Sequence, residues 1–562
     1  MPLLRQSLLE TERLRLSVIA EFWEIPVTSH RRREMALELE EAMPDPEAVA
    51  KALGKLTRDQ EEALQALATA GGILPQRVFS REWGEIRAMG PGRMDRERPW
   101  EDPVSPAEAL WYSGFLFKTF AEGPDGAYEA VAIPAEILEL LPSPEAPRSE
   151  LSLEPASEPG VVQAAGPALL EDACTFLSYV HNHRPSRGPD GAWSARDTGR
   201  LLSRMLDQDE DRFGFIRHLA ATVGWIVGEE AKRTTLIPES VTEWLRSPSF
   251  EQRKDLSVGW RDDPAWNDLF HVPTLQPEDT GAWKNDPVLA REAILSHLAV
   301  CTPSTWYSIE AFIAGIQEVD PDFQRPTGDY ETWYIKDRVT GAYLSGFESW
   351  DAVEGRLIRY VLTGPLFWLG LVDLGAERRD RSSRVFRLTD AGGALLDLKD
   401  KPPAPEPSAL RLRAGFQLVV PWGRRYERFQ VGRVAEWLES GEHYRYRFTA
   451  ASLQRARDQR IGVSRVLAFL EDHLEAPLPS SFGEALNRWE ERGTEASLHR
   501  AVLLRMANEE LMDRALSSPR VARLVEERIS STAAVVRRHD WPAMIEALGR
   551  LGLLPGLPDS VE

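Results

Sequence analysis

The sequence predicts an α+β chain, mainly helical and divided into several consecutive units, on three observations. Its 562 residues exceed what one core organises, since single cores stop growing at about 250–300 residues. Apolar residues recur at helical spacing, as in Trp350, Val353, Leu357, Ile358 and Val361, so that they line one face of a helix. Helical stretches of this kind also run into one recurring short pattern: a strand-like run, a turn and a new helix start. With 43% hydrophobic and 28% charged residues, the composition is that of a globular protein, neither disordered nor collagen-like.

The recurring pattern appears in "AYEAVAIPAEILELL", "GWIVGEEAKRTTLIPESVTEWL", "LVDLGAERRDRSSRVFRLTDAGGALL" and "YRYRFTAASLQRA", with Pro134, Pro238, Thr389 and Thr449 at equivalent turn points. Upstream of the first copy, Ser105, Pro106 and Glu108 read as N-cap, first-turn proline and capping-box acid of a helix over "PAEALWYSGFLFKTF". Helices followed by a two-stranded wing are the winged-helix plan. Tandem winged-helix domains are therefore expected over 1–141, 161–285 and 286–398. Between the first two lies 142–160, "PSPEAPRSELSLEPASEPG", whose Pro, Ser and Glu content predicts an extended, mobile linker. A stiffer spacer, "KDKPPAPEP" over 399–407, precedes a C-terminal part divided into 408–495 and a small α/β module over 496–562. In that module, Ala501–Met506 and Ala533–Arg537 read as strands followed by helices.

Charge narrows the functional classes. The net charge of -21 argues against a chain that coats nucleic acid over its whole surface, because phosphate is repelled at long range. The balance is uneven, however: residues 411–465 hold 12 arginines against 5 acidic residues. Arg424, Arg425, Arg428, Arg445, Arg447, Arg455, Arg457 and Arg460 alternate there with Trp422, Tyr426, Phe429, Tyr444, Tyr446 and Phe448, a mixture suited to phosphate pairing and stacking. The alternative is that these arginines dock the acidic N-terminal part or a partner while the aromatics fill a core. A second basic spot, Arg378, Arg379, Arg381, Arg384 and Arg387, lies between two strand-like runs, where a wing tip could meet a phosphate backbone. The N-terminus "MPLLRQSLLETERLRL" lacks a signal-peptide core, and no segment approaches the roughly 18 apolar residues of a membrane span. A cytoplasmic protein is expected. Cys174 and Cys301 stand far apart and read as buried small hydrophobes, not as a disulfide or zinc pair.

Two motifs mimic catalytic ones. His181, Asn182 and His183 spell "HNH", but a nuclease of that kind needs further ligands at set distances, and the following "RPSRGPDG" supplies none. Asp209, Glu210, Asp211 and Arg212 spell "DEDR", a metal-binding box that works only beside a phosphate cradle, and no G-x-x-x-x-G-K-[ST] occurs in the sequence. His218, His271, His297, His473 and His539 show no ligand spacing. No enzyme, cofactor or metal is expected.

The segment "YRYRFTAASLQRARDQRIGVSRVLAFLEDHLEAPLPSSFGEALNRWEERG" carries a strand, a threonine turn, a helix, "FL", "LP" and a helix ending in tryptophan: Phe448, Thr449, Phe469, Leu470, Leu478, Pro479 and Trp489. This run resembles the N-terminal, helicase-associated domain of XPB-type DNA helicases. It is also similar to the region of the winged-helix TFIIH subunit that clasps XPB, in which winged-helix repeats precede such a domain. The resemblance covers about 411–495, with those seven residues as fold-defining positions. It implies a non-catalytic partner or regulator of an XPB-like DNA helicase in DNA repair or related transactions, with DNA contact possible and no membrane role. A stand-alone winged-helix DNA-binding regulator is the alternative; an unrecognised nuclease stands behind both.

Overall fold

A computed structural model describes residues 2–123, 126–142, 151–188, 191–227, 232–281, 283–378, 382–403, 406–494 and 502–556. Helices alternate with small antiparallel sheets, an α+β architecture. The chain forms two compact units, 1–448 and 449–562, so the division falls inside the expected 408–495 module. Among the described residues, no helix is long and apolar enough to cross a membrane.

One order of elements recurs. Near the N-terminus it runs helix Arg58–Thr69, strand Ile73–Pro75, helices Gln76–Trp83 and Pro106–Ser113, then the hairpin Phe117–Gly123 and Gly126–Ala132. The first strand pairs with the last, Ile73 opposite Ala132. The same order returns from helix Ala168–His183 through helices Ala195–Leu202 and Glu210–Thr222, where isolated bridges Ser186–Arg233 and Ile226–Leu236 stand in for the strands. It returns again from helix Pro287–Leu298 through strand Tyr307–Ser308, helix Ile309–Val319, a helix over 351–366 and strands Val372–Ala376 and Val385–Leu388. Here too the first strand pairs with the last, Tyr307 opposite Phe386. In the second unit, Val502–Arg505, two short helices, Val525–Arg528 and Ala533–Val536 follow suit, with Ala533–Val536 central in the sheet. Its core gathers Val521, Val536, Met544 and Leu548.

The helix-start signals act where the sequence places them, although the helix expected over 106–120 ends at Ser113, where Gly114 takes a positive φ, and Phe117–Phe120 belong to a strand. Thr389 and Thr449 cap the helices that follow their strands, accepting from Gly392 N–H and Ser452 N–H. Pro134 and Pro238 stand at the starts of Ala135–Leu138 and Pro238–Arg246. Trp350, Val353, Leu357, Ile358 and Val361 are all buried, as one stripe requires. Ser105 caps its helix by accepting from Glu108 N–H at 3.0 Å. The Glu108 carboxylate, however, does not close the expected box. It accepts from Val104 N–H at 2.9 Å and from Arg87 Nη2 at 2.7 Å, because a buried carboxylate gains more from a guanidinium than from a second neutral amide.

The 142–160 stretch also departs from expectation over its described part. Leu151 is buried and Leu153 packs on the central core, Ala156 N–H donates to Trp306 O at 2.7 Å, and Val161–Gln163 joins the sheet beside Val372–Ala376. Two leucines in a polar stretch are enough to hold it, since Gly315 leaves room for both side chains.

Gly114 and Gly54 offer a paired test. Gly114 has φ +78°, and an added Cβ would stand 2.9 Å from Ile19 Cγ2. Gly114→Ala is expected to lower stability by about 1–3 kcal/mol in urea unfolding followed by tryptophan fluorescence. Gly54 has φ -62° and ordinary contacts, so Gly54→Ala should be neutral or stabilising by up to about 1 kcal/mol.

Candidate functional site

The arginine-rich segment folds as strand Arg411–Arg413, strand Gln417–Pro421, helix Arg425–Val434 and strands Glu436–Glu439 and His443–Arg447. Gln417–Pro421 and His443–Arg447 form the middle of the sheet, with Arg411–Arg413 and Glu436–Glu439 at its edges. Gly423, at φ +86°, makes the turn into the helix, which lies along Ala168–His183. Asn182 Nδ2 donates to Gly432 O at 3.0 Å, and Cys174 Sγ donates to Arg425 O at 3.3 Å.

At this contact two arginines share one carboxylate. Glu171 Oε1 accepts from Arg425 Nη1 at 2.7 Å and from Gly423 N–H at 2.9 Å, while Oε2 accepts from Arg428 Nη1 at 3.0 Å. Arg428 Nη2 also donates to Glu171 O at 2.7 Å and Thr175 Oγ1 at 2.9 Å. Arg425 reaches Gln252 Oε1 at 2.7 Å and the Ser249 hydroxyl. The Arg428 guanidinium stacks 3.7 Å from the Tyr444 ring centroid. Side-chain exposure is 3% for Arg425, 0% for Arg428 and 1% for Glu171. Burial alone would lower the Arg428 pKa, but the Cys174, Tyr444 and Glu171 side chains around it raise it well above the ordinary arginine value. Burial likewise raises the Cys174 thiol, and it pushes Cys301 up to about 12.

The structure thus places Arg425 and Arg428 inside the first unit, where they hold the sheet module to the central helices instead of facing solvent. Arg424 donates to Ser408 O and Pro407 O and pairs with Glu427. Arg445 is exposed and pairs with Glu439; Arg447 is exposed. In the second unit, Arg455 is half-buried, Arg457 lies 5.7 Å from the Trp489 ring centroid, and Arg460 is exposed at φ +61°. On the Val372–Leu388 hairpin, Arg378 is exposed and Arg384 stands 3.6 Å from Glu377. Arg387 pairs with Asp373 at 2.9 Å. Arg379 and Arg381 lie outside the described residues.

The seven fold-defining positions divide between buried and surface roles. Phe448 and Leu470 are buried; Phe469, Leu478 and Trp489 are half-buried. Thr449 caps a helix, and the exposed Pro479 precedes Ser480–Arg492.

The motifs resembling catalytic ones have structural duties. His181 sits edge-on to Phe429, His183 packs on Tyr179 and Asn182 binds backbone oxygens at the end of Ala168–His183. In "DEDR", Asp209 caps a helix and Arg212 pairs with buried Asp172 at 2.5 Å. Among the described residues, no group of three or more His, Cys, Asp or Glu side chains is placed to hold a metal.

Sequence reasoning missed Glu171, which lies 254 residues before Arg425. Its signal was present: Glu171 and Asp172 interrupt the apolar run "ALLEDACTFLSYV", and acids inside such a run need internal partners.

With this geometry in place, the comparisons fall on the same region. The family model described as helicase conserved C-terminal domain matches residues 417–530. The match starts on the Gln417–Pro421 strand and ends just past Val525–Arg528. The chain therefore carries a helicase-associated C-terminal region. Comparison with curated proteins returns no match.

Removing one member of a buried pair leaves an uncompensated charge. Glu171→Gln is expected to cost about 3–5 kcal/mol of stability, whereas Arg447→Ala should change it by less than about 0.5 kcal/mol; thermal unfolding of both variants checks this. The two buried, high-pKa thiols should resist iodoacetamide in the folded protein at neutral pH and react after denaturation, read by mass spectrometry.

Proposed function

We propose that this chain is a non-catalytic partner or regulator of an XPB-like DNA helicase, acting in the cytoplasm in DNA repair or related DNA transactions. The observation that carries this reading is the helicase C-terminal match over 417–530 in a sequence whose Gly54-Lys55 pair is followed by Leu56, where a phosphate-cradling loop needs Ser or Thr. ATP hydrolysis then belongs to the partner, and this chain contributes docking surfaces.

On this proposal, the three regions before residue 400 are winged-helix units. The recurring order of helix, strand, helix, helix and hairpin supports that assignment, as does the pairing of the first strand with the last. The helices that would enter a DNA groove favour a protein-facing role. Pro106–Ser113 carries no cation. Arg212 is spent on Asp172, Arg356 on Asp337 and Arg359 on Glu310. Arg217 on Glu210–Thr222 is half-buried and has no partner among the described residues, so these helices together leave one free guanidinium for base edges or phosphates.

The test is reconstitution of the full chain with a purified XPB-like helicase. The expected result is a complex that survives size-exclusion chromatography, together with a changed DNA-dependent ATPase rate. No complex and no change in rate would overturn the proposal, and ATP hydrolysis by this chain alone would replace it with an enzyme. The second reading, a stand-alone DNA-binding regulator, draws on the exposed arginines of the C-terminal sheet.

A further inference from the structure

We propose that the outward face of the four-stranded sheet of residues 411–447 binds the phosphate backbone of duplex DNA. This deepens the DNA-contact side of the proposed function and is tested separately from helicase capture.

The face is set by the two-residue period of a strand. In "HYRYR", Tyr444 and Tyr446 are fully buried on the side of the Arg425–Val434 helix, while His443, Arg445 and Arg447 point the other way and are exposed. Strand register extends that face. Arg445 lies opposite Val419, which lies opposite Arg411; Arg447 lies opposite Gln417, which lies opposite Arg413. Four arginines therefore occupy the corners of a rectangle. Partners on one strand are about 6.8 Å apart and the two strands that carry them about 10 Å apart, from ordinary strand geometry. The shorter side is close to the separation of successive phosphates along one nucleic-acid strand.

Their lack of partners distinguishes these arginines. Arg411, Arg413 and Arg447 make no ion pair or side-chain hydrogen bond with a described residue, and Arg445 alone of the four pairs, with Glu439. The chain has acids to spare, 88 against 67 basic residues, and it pairs arginines elsewhere, as in Arg81–Asp322, Arg87–Glu108, Arg291–Asp268 and Arg325–Glu354. Three unpaired guanidinium groups on one flat face are not a consequence of scarce carboxylates.

The chemistry of the face selects among occupants. Its apolar members, Val419 and Pro421, are buried, and the exposed Phe416, Trp422 and Leu438 stand at the ends and edge of the sheet, so the centre of the face carries arginines and not the apolar anchor that dominates protein–protein binding. The exposed rings near the face, Phe416 in the turn after Arg413 and His443 two residues before Arg445, lie outside the rectangle of arginines, whereas single-strand binders stack successive bases along such rings. What remains is a set of guanidinium donors, exposed at Arg413, Arg445 and Arg447 and half-buried at Arg411, bordered on the edge strand by Glu436 opposite Arg447 and Glu439 opposite Arg445; the excess of donors suits the backbone of a duplex and carries no sequence preference. The acidic remainder of the chain keeps such binding local and sensitive to salt.

The experiment measures binding of the full chain to a fluorescein-labelled random-sequence duplex by anisotropy across 50–200 mM salt. Engagement of about three phosphates predicts a loss of roughly 40-fold in affinity over that range. The pair Arg413→Glu, Arg447→Glu should weaken binding at low salt and flatten the log–log salt slope by about 2, while Arg384→Glu on the 372–388 hairpin leaves both unchanged. The neutral pair Arg413→Gln, Arg447→Gln repeats the measurement if charge reversal disturbs folding, judged by the unfolding midpoint. The proposal is overturned if wild-type protein does not bind the duplex or if both paired variants bind it like wild type. It is also overturned if a single strand of equal length binds more tightly, or if polyglutamate competes as well as unlabelled duplex. Loss of helicase capture with duplex binding intact would instead count against the proposed partner role alone.

Discussion

The first unit depends on one buried contact, the Glu171 carboxylate shared by Arg425 and Arg428. Two guanidinium groups and one carboxylate leave an excess positive charge away from water, and such a cluster is stable only if its remaining donors are satisfied. Gln252, Ser249, Thr175 and the Glu171 main-chain oxygen accept most of them. The face of the Tyr444 ring supplies a further favourable interaction for the Arg428 cation. Arg428 Nε has no hydrogen-bond partner among the described residues, so the cluster has little tolerance for loss of another acceptor. Its members come from 171–175, 249–252 and 425–428, and it forms only when three distant segments have assembled. The sheet module is in this way made part of the same unit as the central helices.

That dependence explains how much of the molecule could be read in advance. Helix starts are local, and the turn residues Pro134, Pro238, Thr389 and Thr449 disclosed them because capping and first-turn proline chemistry act within a few residues. The apolar stripe from Trp350 to Val361 was legible for the same reason. The first strands of the recurring units were not: Tyr307–Ser308 has two residues and Ser186 a single bridge, too short for alternation to be seen. Composition also misled at 151–160, where an average over polar residues hides Leu151 and Leu153. The candidate site was legible as a basic, aromatic segment, but the fate of each arginine was not. Arg425 and Arg428 look like their neighbours in sequence and differ from them through Glu171, a residue that no local window contains.

The buried cluster and the exposed arginines are linked through strand register. Shifting a strand by one residue exchanges its two faces. In His443–Arg447 such a slip would bury Arg445 and Arg447 and expose Tyr444 and Tyr446. The Arg428 guanidinium, held by Glu171 on one side and stacked on Tyr444 on the other, penalises that slip directly, because it would lose the ring and face another cation. Trp437, opposite Tyr446 on the neighbouring edge strand, adds ring contacts at 5.7 Å to Tyr446 and 6.1 Å to Tyr444. An arginine that never reaches solvent thus determines which arginines do. A basic face on an acidic chain then requires no local surplus of charge in the core: the interior ion pairs set the register, and the two-residue period of the strand turns the remaining arginines outward.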